Sequence, residues 1–206
     1  MVGANLAGAN LAGASLHDAK LNNANLKNAN LVGANLNKAD LSRANLSGAN
    51  LAGALLYAAR LELTNLAGAN MRSVRMATAR LTRANLSGAV IRDADLRSTA
   101  MAEAQLVGAD LTNTWLDFAH LRHADLTGAL LDHAGLGKTE LAGANLTGAK
   151  LMRANAQDAD LREADLTDAD VTGATFWRAD MYEAVLDGTI FADTIMPDGA
   201  IRQRAP

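Results

Sequence analysis

Large hydrophobic side chains recur at every fifth position of this chain. Of the 39 positions at this spacing between residues 6 and 196, 29 are Leu, nine are Met, Ile, Val or Phe, and only Ala156 is small. A second column of residues lies two positions before each of these large side chains. It is Ala at 32 of the 39 positions and Thr or Val at the rest. Asn or Asp most often fills the position between them. The unit therefore reads A-(N/D)-L-x-x, and its unbroken phase predicts no internal loops.

A period of five fits neither ordinary secondary structure. Five residues turn an α-helix by about 140°, so the leucines would spiral around every side of it. On a flat strand the same step alternates faces, which would turn half of the leucines toward water. The period instead predicts a solenoid in which each pentapeptide forms one short side, with the Leu and Ala columns pointing inward.

Four segments carry a resemblance to a known family: ANLAG (4–8), ANLKN (24–28), ADLTG (124–128) and ADLTD (164–168). They resemble the repeats of the pentapeptide repeat protein family. The resemblance implies an all-β fold, a right-handed quadrilateral parallel β-helix with four pentapeptides per coil. A chain of 206 residues would then form about ten coils.

The repeat defines the expected domain organisation. Residues 1–196 form one solenoid, and residues 197–206 form a short C-terminal tail. Numbering the chain in steps of 20 divides the coils into a first face (residues 4–8 and equivalents), a second (9–13), a third (14–18) and a fourth (19–23). The large positions of the first face are expected to form part of the core. They include Leu26, Leu46, Leu66, Leu86, Leu106, Leu126, Leu146 and Leu166.

Charge is unevenly distributed along the chain. Overall, 19 basic residues oppose 22 acidic ones, a net charge of −3, which argues against general nucleic-acid binding. Residues 157–198, however, hold eleven acidic residues against Arg162 and Arg178. An acidic end attracts a basic partner. The candidate partner-binding acidic surface comprises Asp158, Asp160, Glu163, Asp165, Asp168, Asp170, Asp180, Glu183 and Asp187.

Bulky residues collect in two other places. The third face has Leu55, Tyr57, Trp115, Phe118, Trp177 and Ile195 in positions expected to face outward, and such groups often mark contacts. Near the C-terminus, large side chains precede a turn sequence, Pro197-Asp198-Gly199. They form either a cap on the last coil or a two-fold dimer contact, which the family resemblance favours. This candidate cap or dimer surface comprises Trp177, Tyr182, Val185, Ile190, Phe191 and Ile195.

The sequence offers little for catalysis. It has no cysteine, and its four histidines lie without carboxylates at metal-ligand spacing. A loop-free rod also lacks the concave pocket that most enzymes use. We therefore expect no catalytic residue, no cofactor, no metal and no enzymatic activity.

Three functions fit these observations. The first is a rigid rod that presents its faces to a protein partner, as a binding or scaffold module. The second is implied by the resemblance: a DNA mimic that binds and protects or inhibits DNA gyrase, a type II topoisomerase. The third is a structural region of a larger protein, because the repeat is in phase from Met1. Neither a membrane span nor a secretory signal is evident, so we expect a cytoplasmic protein without direct nucleic-acid or membrane binding.

Overall fold

The structure is a computed structural model that describes residues 1–203. Each bridging residue pairs in parallel with the residue 20 positions further along, from Asn5–Asn25 through Thr175–Ile195. One coil therefore contains four pentapeptides, and equivalent residues of successive coils stack. The predicted repeat β-helix solenoid is confirmed, whereas its handedness and its total number of coils stay predictions.

The sides of the coil are short because the chain turns in every pentapeptide. Each side contributes a single bridging residue rather than an extended strand. Within residues 1–203, continuous strands occur only at the C-terminal end, as β1 (Thr194–Ile195) and β2 (Ile201–Arg202), which pair antiparallel. The described part of the chain contains no helix that is long and apolar enough to cross a membrane.

The hydrogen bonds explain why Asn or Asp precedes the leucine. In each regular pentapeptide, four N–H groups bond to backbone carbonyls of the same or a neighbouring coil. For example, Leu26 donates to Asn45 O at 2.7 Å, and Ala29 closes the turn to Leu26 O at 3.0 Å. The fifth N–H, that of Lys27, has no backbone acceptor and donates to Asn25 Oδ1 at 3.2 Å. The Asn or Asp side chain thus completes the hydrogen bonding of its own pentapeptide.

The asparagines of the first face stack in successive coils, where their side-chain amides can also form hydrogen bonds between coils. On that face, a side-chain bond between coils joins Asn25 Nδ2 to Asn5 Oδ1 at 3.1 Å. In later coils, Asn45, Asn65 and Asn85 each accept the N–H two residues ahead. The two bonds are compatible, because Asn5 Oδ1 accepts the Ala7 N–H at 3.3 Å as well as the Asn25 amide.

The corner between sides is a turn whose second central residue has a positive φ. In the repeat this φ lies between +52° and +68°, as a type II turn requires. Glycine adopts this conformation without strain, but many corners carry a side chain. Thr78, which is β-branched and exposed, has a φ of +60°.

The core is a column of leucines surrounded by alanines. The eight first-face leucines from Leu26 to Leu166 are each at most 1% exposed. The small Ala156 lies one coil from Phe176, which is fully buried, so a large side chain compensates for a small one. Where Thr replaces Ala, its hydroxyl donates to a backbone carbonyl, as Thr64 Oγ1 does to Leu41 O at 2.8 Å.

The two ends of the solenoid differ. In the first coil, Leu6 and Leu11 are only partly buried. At the other end, the chain turns back at residues 197–199 and β2 pairs with β1. The Arg202 guanidinium then lies 3.8 Å from the centroid of the Phe191 ring. Tail residues 204–206 lie outside the described residues.

The positive φ at Thr78 gives a test of the turn geometry. Replacing Thr78 by Gly removes a β-branched residue from a left-handed conformation, so we expect stability to rise by about 1 kcal/mol. The matched control is Thr82→Gly in the next pentapeptide, where φ is not positive. There the added chain entropy lowers stability. Thermal unfolding followed by circular dichroism measures both, and equal shifts of the two variants would contradict the corner assignment.

Candidate functional site

The acidic residues of the C-terminal region separate into two groups. Five of the nine predicted residues lie on the first face or at its corner with the fourth face, within two successive coils. In residues 1–203, none of these five has a Lys, Arg or His nitrogen within 4.0 Å. We call this group the acidic edge; it consists of Glu163, Asp165, Asp168, Glu183 and Asp187.

The other four predicted acidic residues lie on the remaining faces and form ion pairs. Asp158 is on the third face, Asp160 and Asp180 are on the fourth, and Asp170 is on the second. Their charges are therefore locally compensated and do not add to the acidic edge. The pairs and their N–O distances are Arg178–Asp158 at 3.0 Å, Arg162–Asp160 at 2.7 Å, Arg162–Asp180 at 3.6 Å and Lys150–Asp170 at 3.9 Å.

Local hydrogen bonds keep carboxylates of both groups ionised. The guanidinium of Arg162 donates two hydrogen bonds to Asp160 and holds the pKa of that carboxyl below its ordinary value. On the acidic edge, the hydroxyl and N–H of Thr167 donate to Asp165 at 2.5 and 2.9 Å and lower its pKa in the same way. Asp165 therefore carries its negative charge throughout the neutral range.

Several basic residues of the middle coils are also compensated. Arg80 Nε lies 2.8 Å from Glu62, and Arg122 Nε lies 2.8 Å from Glu140, which also accepts from His120. These pairs form across neighbouring coils of the fourth face and were not predicted. The available signal was a pair of opposite charges 18 to 20 residues apart, which the solenoid brings together.

Three of the four exposed aromatic rings on the third face are accompanied by a cation, and the fourth, Tyr57, is exposed without one. Trp115, Phe118 and Trp177 are 55%, 53% and 45% exposed. Two other residues expected to face outward, Leu55 and Ile195, are instead partly buried between neighbouring coils. The cations and their distances to the ring centroids are Arg97–Trp115 at 5.8 Å, Lys138–Phe118 at 5.5 Å and Arg178–Trp177 at 5.6 Å.

The predicted cap or dimer residues take up different environments. Phe191 points into the core and is 6% exposed beneath Arg202. Ile195 lies in β1, whereas Tyr182, Val185 and Ile190 are exposed on three different faces. The hairpin covers part of the last coil, as a cap does, and homodimerisation through this end stays a prediction.

The repeat and the geometry together determine the family. The pentapeptide repeat family matches at residues 1–37, 39–76, 59–97, 79–117, 104–137, 129–168 and 164–196. These ranges cover nearly the whole solenoid. The chain belongs to the pentapeptide repeat family. No curated protein sequence matches it significantly.

Several solved pentapeptide repeat proteins are similar to this one. HetL of the cyanobacterium Nostoc sp. strain PCC 7120, involved in heterocyst differentiation regulation, is 35% identical, with 97% of this chain and 92% of HetL covered and a TM-score of 0.41. A pentapeptide repeat protein of the Arabidopsis thaliana thylakoid lumen is 27% identical over 50% of this chain and 71% of its own, with a TM-score of 0.48. QnrB1, a plasmid-mediated fluoroquinolone resistance protein, is 15% identical over 79% and 82%, with a TM-score of 0.47. Because all three TM-scores are below 0.5, the family assignment rests on the repeat match.

Nearly all polar side chains of the described residues lie on the surface, and the buried polar ones are five threonines. In the part of the chain that the structure describes, no three His, Asp or Glu side chains group as metal ligands. No buried side-chain N or O atom there lacks a hydrogen-bond partner. The distinctive chemistry of the described residues is therefore on the surface, at the acidic edge and on the aromatic third face.

Proposed function

We propose that this pentapeptide repeat protein is a non-enzymatic binding module whose rigid rod engages a partner protein through the acidic edge. The observation that carries the proposal is the concentration of five carboxylates without cationic neighbours in two successive coils. Asp158, Asp160, Asp170 and Asp180 nearby are paired, so most of the unpaired carboxylates of this region lie along one edge, and Asp193 and Asp198 lie outside it.

An unpaired surface charge contributes little to the stability of the fold but a great deal to recognition. Exposed carboxylates steer a basic partner toward the complex and determine which surfaces are repelled. The adjoining first face supports docking, because small residues such as Gly128, Thr147 and Gly148 leave room for a partner there. The partner that fits is a protein with a basic, flat or grooved surface.

The test compares two triple charge reversals. The edge variant carries Glu163→Lys, Asp168→Lys and Glu183→Lys, three exposed positions that make no ion pair. We expect it to lose partners that the unaltered protein captures from lysate, identified by quantitative mass spectrometry, with affinity reduced at least about tenfold. Raising the salt concentration is expected to weaken the same interactions, because exposed charges are screened over about 8 Å at physiological ionic strength.

The control variant has the same change in net charge at distant sites. It carries Asp18→Lys, Glu103→Lys and Asp132→Lys, which lie outside the acidic edge. Circular dichroism verifies that both variants fold. If the edge variant and the control retain the same partners, or lose them equally, the acidic edge is not the binding surface.

A second candidate, a DNA mimic acting on DNA gyrase, is favoured by the same five carboxylates. They would occupy a basic DNA-binding channel in place of phosphates, as the family resemblance implies. Purified gyrase supplies a direct test in a supercoiling assay, with and without a quinolone. Inhibition or protection by the unaltered protein, lost in the edge variant, would support the mimic. No effect at micromolar excess would reject it and leave the protein-binding module.

A further inference from the structure

The third face contains two neighbouring cavities. One, of 400 Å³, lies at its corner with the second face, and the other, of 200 Å³, lies further toward the C-terminus. Residues 114–118 separate them, since Trp115 lines the first cavity while Asp117 and Phe118 line the second. The two span about four coil spacings, or about 19 Å at 4.8 Å each. The third face therefore has an elongated depression rather than a single pocket.

Two glycines shape the middle of this depression. Gly135 and Gly137 differ from the other glycines because neither has a positive φ, so the backbone does not require them. A Cβ atom would lie 2.9 Å from Asp117 Oδ2 at Gly135 and 2.7 Å from Asp117 Oδ1 at Gly137. Because Gly135 and Gly137 have no side chain, the Asp117 carboxylate lies against their backbone. There Gly137 N donates to Asp117 Oδ1 at 3.2 Å.

Two aromatic rings line the depression, and a third lies beyond it along the rod axis. Trp115 and Phe118 belong to one pentapeptide, and Trp177 is three coils further on, about 14 Å away at the usual strand spacing. All three are about half exposed, and both tryptophans of the chain are among them. The negative face of such a ring attracts the C–H hydrogens of an apolar or amphipathic ring placed against it.

The polar groups of the depression are balanced in charge. Arg75, Arg97 and Lys138 line it together with four aspartates, one of which, Asp158, is paired with Arg178. Four cations thus oppose four carboxylates, and Ser73, Asn155 and Gln157 add neutral donors and acceptors. The aspartates are Asp93, Asp95, Asp117 and Asp158.

We propose that the third face binds a linear oligosaccharide of neutral hexose units. A sugar ring presents C–H groups on its faces and hydroxyls around its edge, which suits aromatic platforms interspersed with donors and acceptors. A nucleic acid would need an excess of cations, and a basic peptide would need an excess of carboxylates. The elongated, open shape accommodates several linked rings rather than one enclosed ligand.

Tryptophan fluorescence reports directly on this surface, because Trp115 and Trp177 are the only tryptophans of the chain. The probes are cellohexaose, maltohexaose and chitohexaose, each titrated into the full chain and compared with its disaccharide. We expect at least one hexaose to change the emission saturably and to bind at least about tenfold more tightly than its disaccharide, a difference of about 1.4 kcal/mol. No saturable change with any hexaose at millimolar concentration would overturn the proposal.

Two variants locate the site, and one serves as a control. Trp115→Ala removes an aromatic platform, while Gly137→Ala displaces Asp117 and leaves both tryptophans as reporters. Each is expected to weaken hexaose binding at least about tenfold. Tyr182→Ala removes an aromatic ring that is 66% exposed on the fourth face and is expected to leave binding unchanged. Full binding by both third-face variants, or equal loss in the control, would place the sugar elsewhere and overturn the assignment.

Discussion

The hydrogen bonds between successive coils constrain every other feature of this molecule. They join residues 19 or 21 positions apart, so that residues 20 apart pair and each coil contains four complete pentapeptides. Every backbone N–H of a regular pentapeptide has an acceptor. For the first turn residue, the acceptor is the side-chain oxygen of the Asn or Asp two positions earlier. An insertion of even one residue would displace both the hydrogen bonds and the buried columns, which accounts for the unbroken phase.

The constraint also determines what the surface can display. With Leu and Ala directed inward, three positions in each pentapeptide remain for the surface, and equivalent positions stack about 4.8 Å apart. Residues distant in sequence thus become neighbours at intervals of about 20, as Arg83 and Glu103 do at 2.8 Å. The faces consequently differ in chemistry: the fourth carries most of the ion pairs, the third carries most of the exposed aromatic rings, and the first ends in the acidic edge.

Much of the fold was predictable because the period of five excludes helices and flat strands. The buried columns, including Leu86 and Ala89, follow from that period alone. The sites were less predictable because they depend on side-chain geometry between coils. The nine acidic residues all lie between residues 158 and 187. Only the structure shows that Asp160 is neutralised by Arg162 while Glu163 has no such partner. Likewise, the repeat pattern places Gly137 outside the corner position that takes a positive φ, but only the structure shows that Asp117 lies against it.

The central claim is that four N–H groups of each pentapeptide bond to backbone carbonyls and the fifth depends on the Asn or Asp side chain. Residue-resolved native-state hydrogen exchange tests it most directly. In the central coils, the account predicts strong protection of the four backbone-bonded amides. It predicts weaker protection of the first turn residue, weakest where Asn or Asp is missing, as at Ala102 after Ala100. Uniform protection of all five amides, or a helical pattern with no period of five, would contradict the account.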